Sequence, residues 1–338
     1  MILDKLLFDN ISIIGKNIIK ELNLDTAPSN VEEMHKFLEL IKKKIELDDF
    51  EGALIGKILF SFVSSKEVRD RNTTSRTFED IFSSLFEQTS TDKSVRTNPV
   101  TTEEISEFNK LTEDYDWSIS GDLSGNKREK SDLNIGDYKI SLKTLKGPCY
   151  EIDGTCSDKN SNNELNVGSF SYRSLLIGII PSDNLARLGD RKGGLGSKRQ
   201  IRKNVLNVIN ENNNQEKFAS RLKLFLRYVY EEDVYIVLKS NFQLKFILIP
   251  NDSFVNTIVD TYKKNESEFE NIFYRWENNN LRIPWKNLLK NMGTYGYNYE
   301  EININLASCL SNKTLIDFEK DISDRINNFF VKNIKDEN

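Results

Sequence analysis

Apolar positions along the chain follow two rhythms. Leu3, Leu6, Leu7, Ile11 and Ile14 recur every three or four residues, as do Met34, Phe37, Leu38 and Ile41; this is the period of an amphipathic helix. Pro28-Ser29-Asn30 separates the two runs, and a third helix is expected from Phe50 to Val63. Residues 75–87 open with a serine or threonine cap and an acidic first turn, which marks a fourth helix. At about 100° per residue, Phe78, Ile81, Phe82, Leu85 and Phe86 fall on one apolar arc, with Glu79 only about 20° past its edge. Asp80 and Glu87 lie well outside the arc, so Glu79 is the acid of this helix most able to point inward.

Farther along, the period shortens to that of strands. Ser131 to Ile135 and Tyr138 to Leu145 read as two strands joined by Gly136-Asp137, since a two-residue loop needs residues that accept positive φ. Phe170 to Ile180 reads as a strand closed by Pro181, and Val234–Leu238 and Leu244–Pro250 as strands joined through Ser240-Asn241. The first of that last pair is apolar throughout, as suits an inner strand. Residues 252–338 are expected to be mostly helical with Asn-rich breaks, among them a loop over 278–287 that carries Arg282, Trp285 and Lys286. The fold expected is α/β: a central mixed β-sheet flanked by helices, with helical N- and C-terminal parts. The chain is divided into a helical region over 1–72, a core over 73–255 and a mainly helical region over 256–338.

Composition narrows the chemistry. A chain of 338 residues with 29% charged and 38% hydrophobic positions is globular. The apolar run Leu175–Ile180 stops at Pro181, far short of the roughly 20 residues of a membrane span. The start, Met1-Ile-Leu-Asp-Lys, has an acid where a signal peptide has its basic region. Cys149, Cys156 and Cys309 have no zinc-site spacing and suit a reducing compartment, so a cytoplasmic protein is expected. The single histidine, His35, rules out paired-histidine metal sites; it sits on or beside the polar side of its helix, as a surface histidine does. Carboxylate, lysine and metal chemistry remains.

The hairpin supplies residues for it. If Ile135 pairs with Tyr138, Asp132 lies opposite Ser141, and alternation puts Lys143 on the same face, with Ile140 and Leu142 on the other. An aspartate and a lysine held together in this way can bind a divalent cation and steady an attacking water at a phosphate. The segment resembles the active-site hairpin of the PD-(D/E)XK nuclease superfamily, above all its type II restriction endonucleases. Their pattern is an Asp on one strand and an acid-x-Lys triplet on the next, with Mg²⁺ between the carboxylates. Asp132 matches the first acid and Lys143 the lysine; Ser131 replaces the usual proline, and Ser141 stands where the second acid would be. Some restriction enzymes that cut around a CCGG core also carry Ser-x-Lys and bring the missing carboxylate from elsewhere. The resemblance implies a restriction-endonuclease-like core and a carboxylate on the preceding helix, for which Glu79 is the candidate. Glu151, the acid nearest in sequence after the hairpin, is the other, as a residue at the hairpin's rim; Asp153 and Glu164 rank below both.

Net charge is −5, which argues against a protein coated with positive charge. One segment is nevertheless strongly basic: Arg187, Arg191, Lys192, Lys198, Arg199, Arg202 and Lys203 are opposed only by Asp190. Its glycines, Gly193, Gly194 and Gly196, let a backbone approach phosphates, although the Gly-Lys-Ser/Thr order of a nucleotide loop is missing. A DNA-contacting loop and a solvated basic loop both fit. The function expected from the resemblance is Mg²⁺-dependent hydrolysis of both strands of DNA at a short sequence, by a homodimer, with a DNA methyltransferase as system partner. A repair, junction or modified-DNA nuclease of the same superfamily, and a non-catalytic DNA-binding protein, are the alternatives.

Overall fold

The computed structural model describes residues 11–47, 50–64, 78–86, 133–145, 151–155, 206–272, 275–277, 280–308 and parts of 313–324, apart from isolated positions within these ranges. The helices are α1 (Ile11–Glu21), α2 (Val31–Leu47), α3 (Phe50–Ser64), α4 (Gln215–Val229), α5 (Asn251–Lys264), α6 (Glu266–Ile272) and α7 (Trp285–Tyr295). The strands are β1 (Leu133–Ile135), β2 (Tyr138–Leu145), β3 (Glu151–Thr155), β4 (Asp233–Ser240), β5 (Gln243–Ile249), β6 (Arg275–Glu277), β7 (Asn280–Pro284) and β8 (Glu300–Asn305). They form a mixed five-stranded sheet, ordered β1-β2-β4-β5-β8, and a three-stranded sheet, ordered β3-β7-β6. The protein is thus α/β, with helices flanking the larger sheet.

Two compact units follow packing rather than chain order. The first comprises Met1–Thr144, Tyr235–Ile247 and Glu300–Asn338; the second comprises Leu145–Val234 and Leu248–Tyr299.

In the first unit, the N-terminal helices form because their apolar residues recur on one face. Ile11, Ile14 and Ile18 of α1 and Met34, Phe37, Leu38, Ile41 and Ile45 of α2 are all buried. Ahead of α2, Asn30 accepts from the Glu33 N–H at 3.0 Å, while the Glu33 carboxylate reaches back to Ser29 N–H at 2.8 Å and holds the entering chain. The helical stretch through Phe78, Glu79 and 81–85 packs by its aromatic arc: Phe78 and Phe82 lie 5.8 and 5.9 Å from the Phe246 ring of β5, and Phe86 lies 4.9 Å from Phe37. A methyl group at Gly15 would fall 1.8 Å from the Leu85 carbonyl oxygen, so glycine is what lets α1 approach this stretch. Strand β4 holds the centre of the sheet, with Val234, Tyr235, Ile236 and Val237 all buried, as its apolar run leads one to expect.

In the second unit, α4, α5 and α6 meet through aromatic rings, Phe218 against Tyr262 at 4.7 Å and Tyr262 against Phe269 at 5.1 Å. The start of α5 is tied down by Asp233, which accepts from Asn251 N–H at 2.7 Å. Here one expectation is corrected. Within the stretch 278–287, expected as a loop, Asn280–Pro284 pairs with both β3 and β6, and Trp285 opens α7. Strands β6, β7 and β8 thus stand among the helices of the described residues after 251. Trp285 is buried, so it packs inside the unit, whereas Lys286 is exposed.

Candidate active-site hairpin

The β1–β2 hairpin has the register its sequence requires. Ile135 pairs with Tyr138, Asn134 with Lys139 and Leu133 with Ile140. Gly136, at φ 60°, supplies the left-handed residue of the two-residue turn, while Asp137 keeps a negative φ. Directly paired residues share a face, so Leu133, Ile135, Tyr138, Ile140 and Leu142 line one side and Asn134, Lys139, Ser141 and Lys143 the other. Burial follows that division on the first side, where Leu133, Ile140 and Leu142 are no more than 2% exposed. The second side is graded: Lys139 is exposed, Ser141 is buried at 6%, and Lys143 is half-buried.

A small hydroxyl buried on the polar face is unusual. Buried polar side chains require hydrogen-bonding partners, and Ser141 and Lys143 both engage in polar or electrostatic interactions. The hairpin is fastened to its neighbour in the sheet by a hydrogen bond between the Tyr138 and Tyr235 hydroxyls. Tyr235 is fully buried, so this contact fixes the near end of β2 against the core.

Glu79 is the expected inward acid, only 7% exposed, in the same unit as the hairpin. It is bracketed by the buried aromatic arc, and the Ser83 hydroxyl one turn on donates to its backbone carbonyl at 2.7 Å. A buried carboxylate is expensive unless it is paired or bound to a cation. Among the described residues the one other buried acid is Glu232, at 3% exposure in the second unit. Its burial is not visible in sequence, because it lies in a run of three acids, Glu231-Glu232-Asp233, that reads as solvated.

Glu151 opens β3 of the three-stranded sheet and pairs with Pro284. It belongs to the second unit and to the three-stranded sheet, whereas the hairpin belongs to the first unit and the five-stranded sheet. Asp153, in the same strand, pairs with Arg282. Asp132, Glu164 and the basic segment containing Arg187, Arg191, Lys192, Lys198, Arg199, Arg202 and Lys203 lie outside the described residues. His35 is half-buried rather than fully solvated, with Nδ1 3.4 Å from the Glu300 carboxylate.

No cluster of three or more His, Cys, Asp or Glu able to hold a metal ion occurs among the described residues. In the unit that contains the hairpin the oxygen donors considered are the buried carboxylate of Glu79 and the hydroxyl of Ser141, and Asp132 directly precedes β1 in sequence. Such a set suits Mg²⁺ and not a soft thiolate- or imidazole-seeking metal. No helix of the described residues is long and apolar enough to cross a membrane. Comparison with protein-family models, with curated proteins and with solved structures finds no match to this chain.

Proposed function

We propose that the protein is a type II restriction endonuclease of the PD-(D/E)XK superfamily, and that its five-stranded sheet and flanking helices are a restriction-endonuclease-like core. The observation that carries this reading is the hairpin register, with Ser141 and Lys143 on one face of β2 behind a glycine turn. The buried Glu79 of the same unit supports it.

In this reading Asp132 and Glu79 would hold Mg²⁺, which would supply neutralisation of phosphate charge and a more acidic water. The Lys143 ammonium orients the attacking water and stabilises the negative charge that builds on the phosphate oxygens in the transition state. The water oxygen forms the new bond to phosphorus while the water gives up one proton to solvent; the bond from phosphorus to the 3′ oxygen of the neighbouring sugar breaks, and that oxygen takes up a proton from solvent. Ser141 is uncharged and holds a water or an acid in place by hydrogen bonding. Glu79 is favoured over Glu151 as the second carboxylate, because it is buried in the unit that contains the hairpin. A palindromic site calls for a two-fold dimer, and a restriction enzyme calls for a methyltransferase that protects the host's DNA.

The test is incubation of the pure protein with unmethylated phage DNA and Mg²⁺, with the resulting ends sequenced. Discrete fragments that share one terminal sequence are expected. Scattered ends or cleavage confined to junctions or modified DNA would point to another nuclease of the superfamily. Intact DNA, under conditions where the protein binds it, would leave a non-catalytic DNA-binding protein.

A further inference from the structure

The turn between β4 and β5 carries a phenyl ring where a small residue is expected. Phe242 sits at φ 57°, a left-handed conformation that glycine and asparagine take most easily and that opposes bulky side chains. It is 46% exposed, whereas Phe37, Phe78, Phe82 and Phe246 of the same unit are at most 1% exposed. Phe60 backs the ring at 5.5 Å and 6° from parallel. A near-parallel partner occupies one face of a ring and cannot occupy the other.

Strand directions place this tip. Strand β1 runs antiparallel to β2, and β4 to β5 because two residues join them. Strand β8 runs antiparallel to β5, since Leu306, just past the end of β8, donates to the carbonyl of Phe242, just before β5 begins. The sheet is nevertheless mixed, so its parallel pair is β2 and β4, neighbours in the strand order. The Tyr138–Tyr235 hydroxyl contact agrees, joining the early part of β2 to the early part of β4. Both strands therefore run toward the same end of the sheet, and the β4–β5 tip stands at the end of β2 where Lys143 lies. One to two strand spacings, about 5–10 Å, separate the tip from Lys143 across the sheet.

We infer that Phe242 is an apolar wedge that enters a base step of DNA beside the phosphate being cut. The inference rests on the reading of the β1–β2 hairpin as a nuclease centre. A phenyl ring offers no hydrogen bond to a base edge; it acts by stacking on base faces, which an opened step presents. Successive bases of one strand are about 3.4 Å apart, so the spacing from Lys143 puts the opened step within about three of the scissile bond. The Phe60 stack and the Leu306 bond to its carbonyl hold the ring presented before DNA arrives, as surrounding structure holds backbone outliers at functional sites.

The experiment uses a duplex carrying the sequence found at the fragment ends of the cleavage test. The base analogue 2-aminopurine, which brightens when it unstacks, is placed in turn at each position within about three steps of the cut. The full chain is added without Mg²⁺. The unaltered chain should raise the fluorescence at least about threefold at one position. Phe242→Asn suits the left-handed turn and lacks the ring; it should lose that rise and bind about tenfold more weakly. Phe242→Trp should keep the rise, and its emission above that of the unaltered chain should fall by about half or more on binding. Matching melting curves establish that the variants fold. An equal rise with Phe242→Asn, or unchanged emission from a bound Phe242→Trp, would overturn the wedge. So would the absence of any rise in an unaltered chain that cuts at this sequence, and each of these results leaves the nuclease reading standing. An unaltered chain that cuts no DNA would overturn the nuclease reading and this inference with it.

Discussion

Two hairpins in the first unit solve the same problem differently. Both β1–β2 and β4–β5 reverse the chain through two residues, and both place a residue in the left-handed region. The first uses Gly136 at φ 60°, where a side chain would meet nothing within 4 Å. The second uses Phe242 at φ 57°, a conformation that opposes a bulky residue by about 1–2 kcal/mol. Phe242 is held there by its surroundings. Its ring stacks on Phe60 with centroids 5.5 Å apart and planes 6° from parallel, and its carbonyl accepts the Leu306 N–H at 2.7 Å. Strain at the β4–β5 tip is thus balanced by packing on neighbouring elements. The β1–β2 turn is relaxed by itself, and what is unusual there is polar: a buried serine and a half-buried lysine on the strand that follows. The difference separates a hairpin whose tip is held by aromatic packing from one whose second strand carries a polar face.

The comparison can be broken most sharply at Lys143. In the proposed enzyme, Lys143→Ala should lower the single-turnover cleavage rate by at least about a hundredfold, since the ammonium acts on the transition state. Specific binding, read by fluorescence anisotropy, should change by less than about twofold. Binding and cleavage falling together in a folded protein would make Lys143 a docking residue. Next in size is the contrast between the two acids. Glu79→Gln should reduce Mg²⁺-dependent turnover by about tenfold or more and raise the Mg²⁺ concentration needed, while Glu151→Gln stays near the unaltered rate. The reverse pattern would transfer the ligand role to Glu151.

Smaller effects sharpen the two turns. Gly136→Ala should lower unfolding stability by about 1–2 kcal/mol in urea titration, with only backbone conformation opposing it. Phe242→Gly removes a similar backbone penalty but also loses the Phe60 stack, so its net effect should stay within about 1 kcal/mol of zero. A larger loss at Phe242 than at Gly136 would mean that the second turn depends on its ring far more than its geometry suggests.

How much of this was legible in the sequence depends on the range of the forces involved. The β1–β2 register could be read because Gly136 sits between two runs that alternate, and one-residue slips would turn every side chain to the wrong face. Glu79 could be read as inward because five apolar residues fix the helix's buried arc, and Phe78, Ile81, Phe82, Leu85 and Phe86 are all buried. Strands β3 and β7 could not. Glu151–Thr155 and Asn280–Pro284 are short, polar and far apart in sequence; the first becomes a strand by pairing with the second, which also pairs with β6. A local pattern rich in Asn and Gly reads as a loop until that partner is known. The left-handed Phe242 was hidden for the same reason: the groups that hold it, Phe60 and Leu306, come from distant parts of the chain.

The central claim is that the β1–β2 hairpin is a metal-dependent nuclease centre. It is tested most directly by comparing the unaltered chain with Asp132→Ala on unmethylated phage DNA, with and without Mg²⁺, after melting curves have established that both are folded. The account predicts discrete fragments from the unaltered chain only when Mg²⁺ is present, and intact DNA from Asp132→Ala under every condition. Equal, Mg²⁺-dependent cleavage by both proteins would contradict it and move the chemistry away from this hairpin.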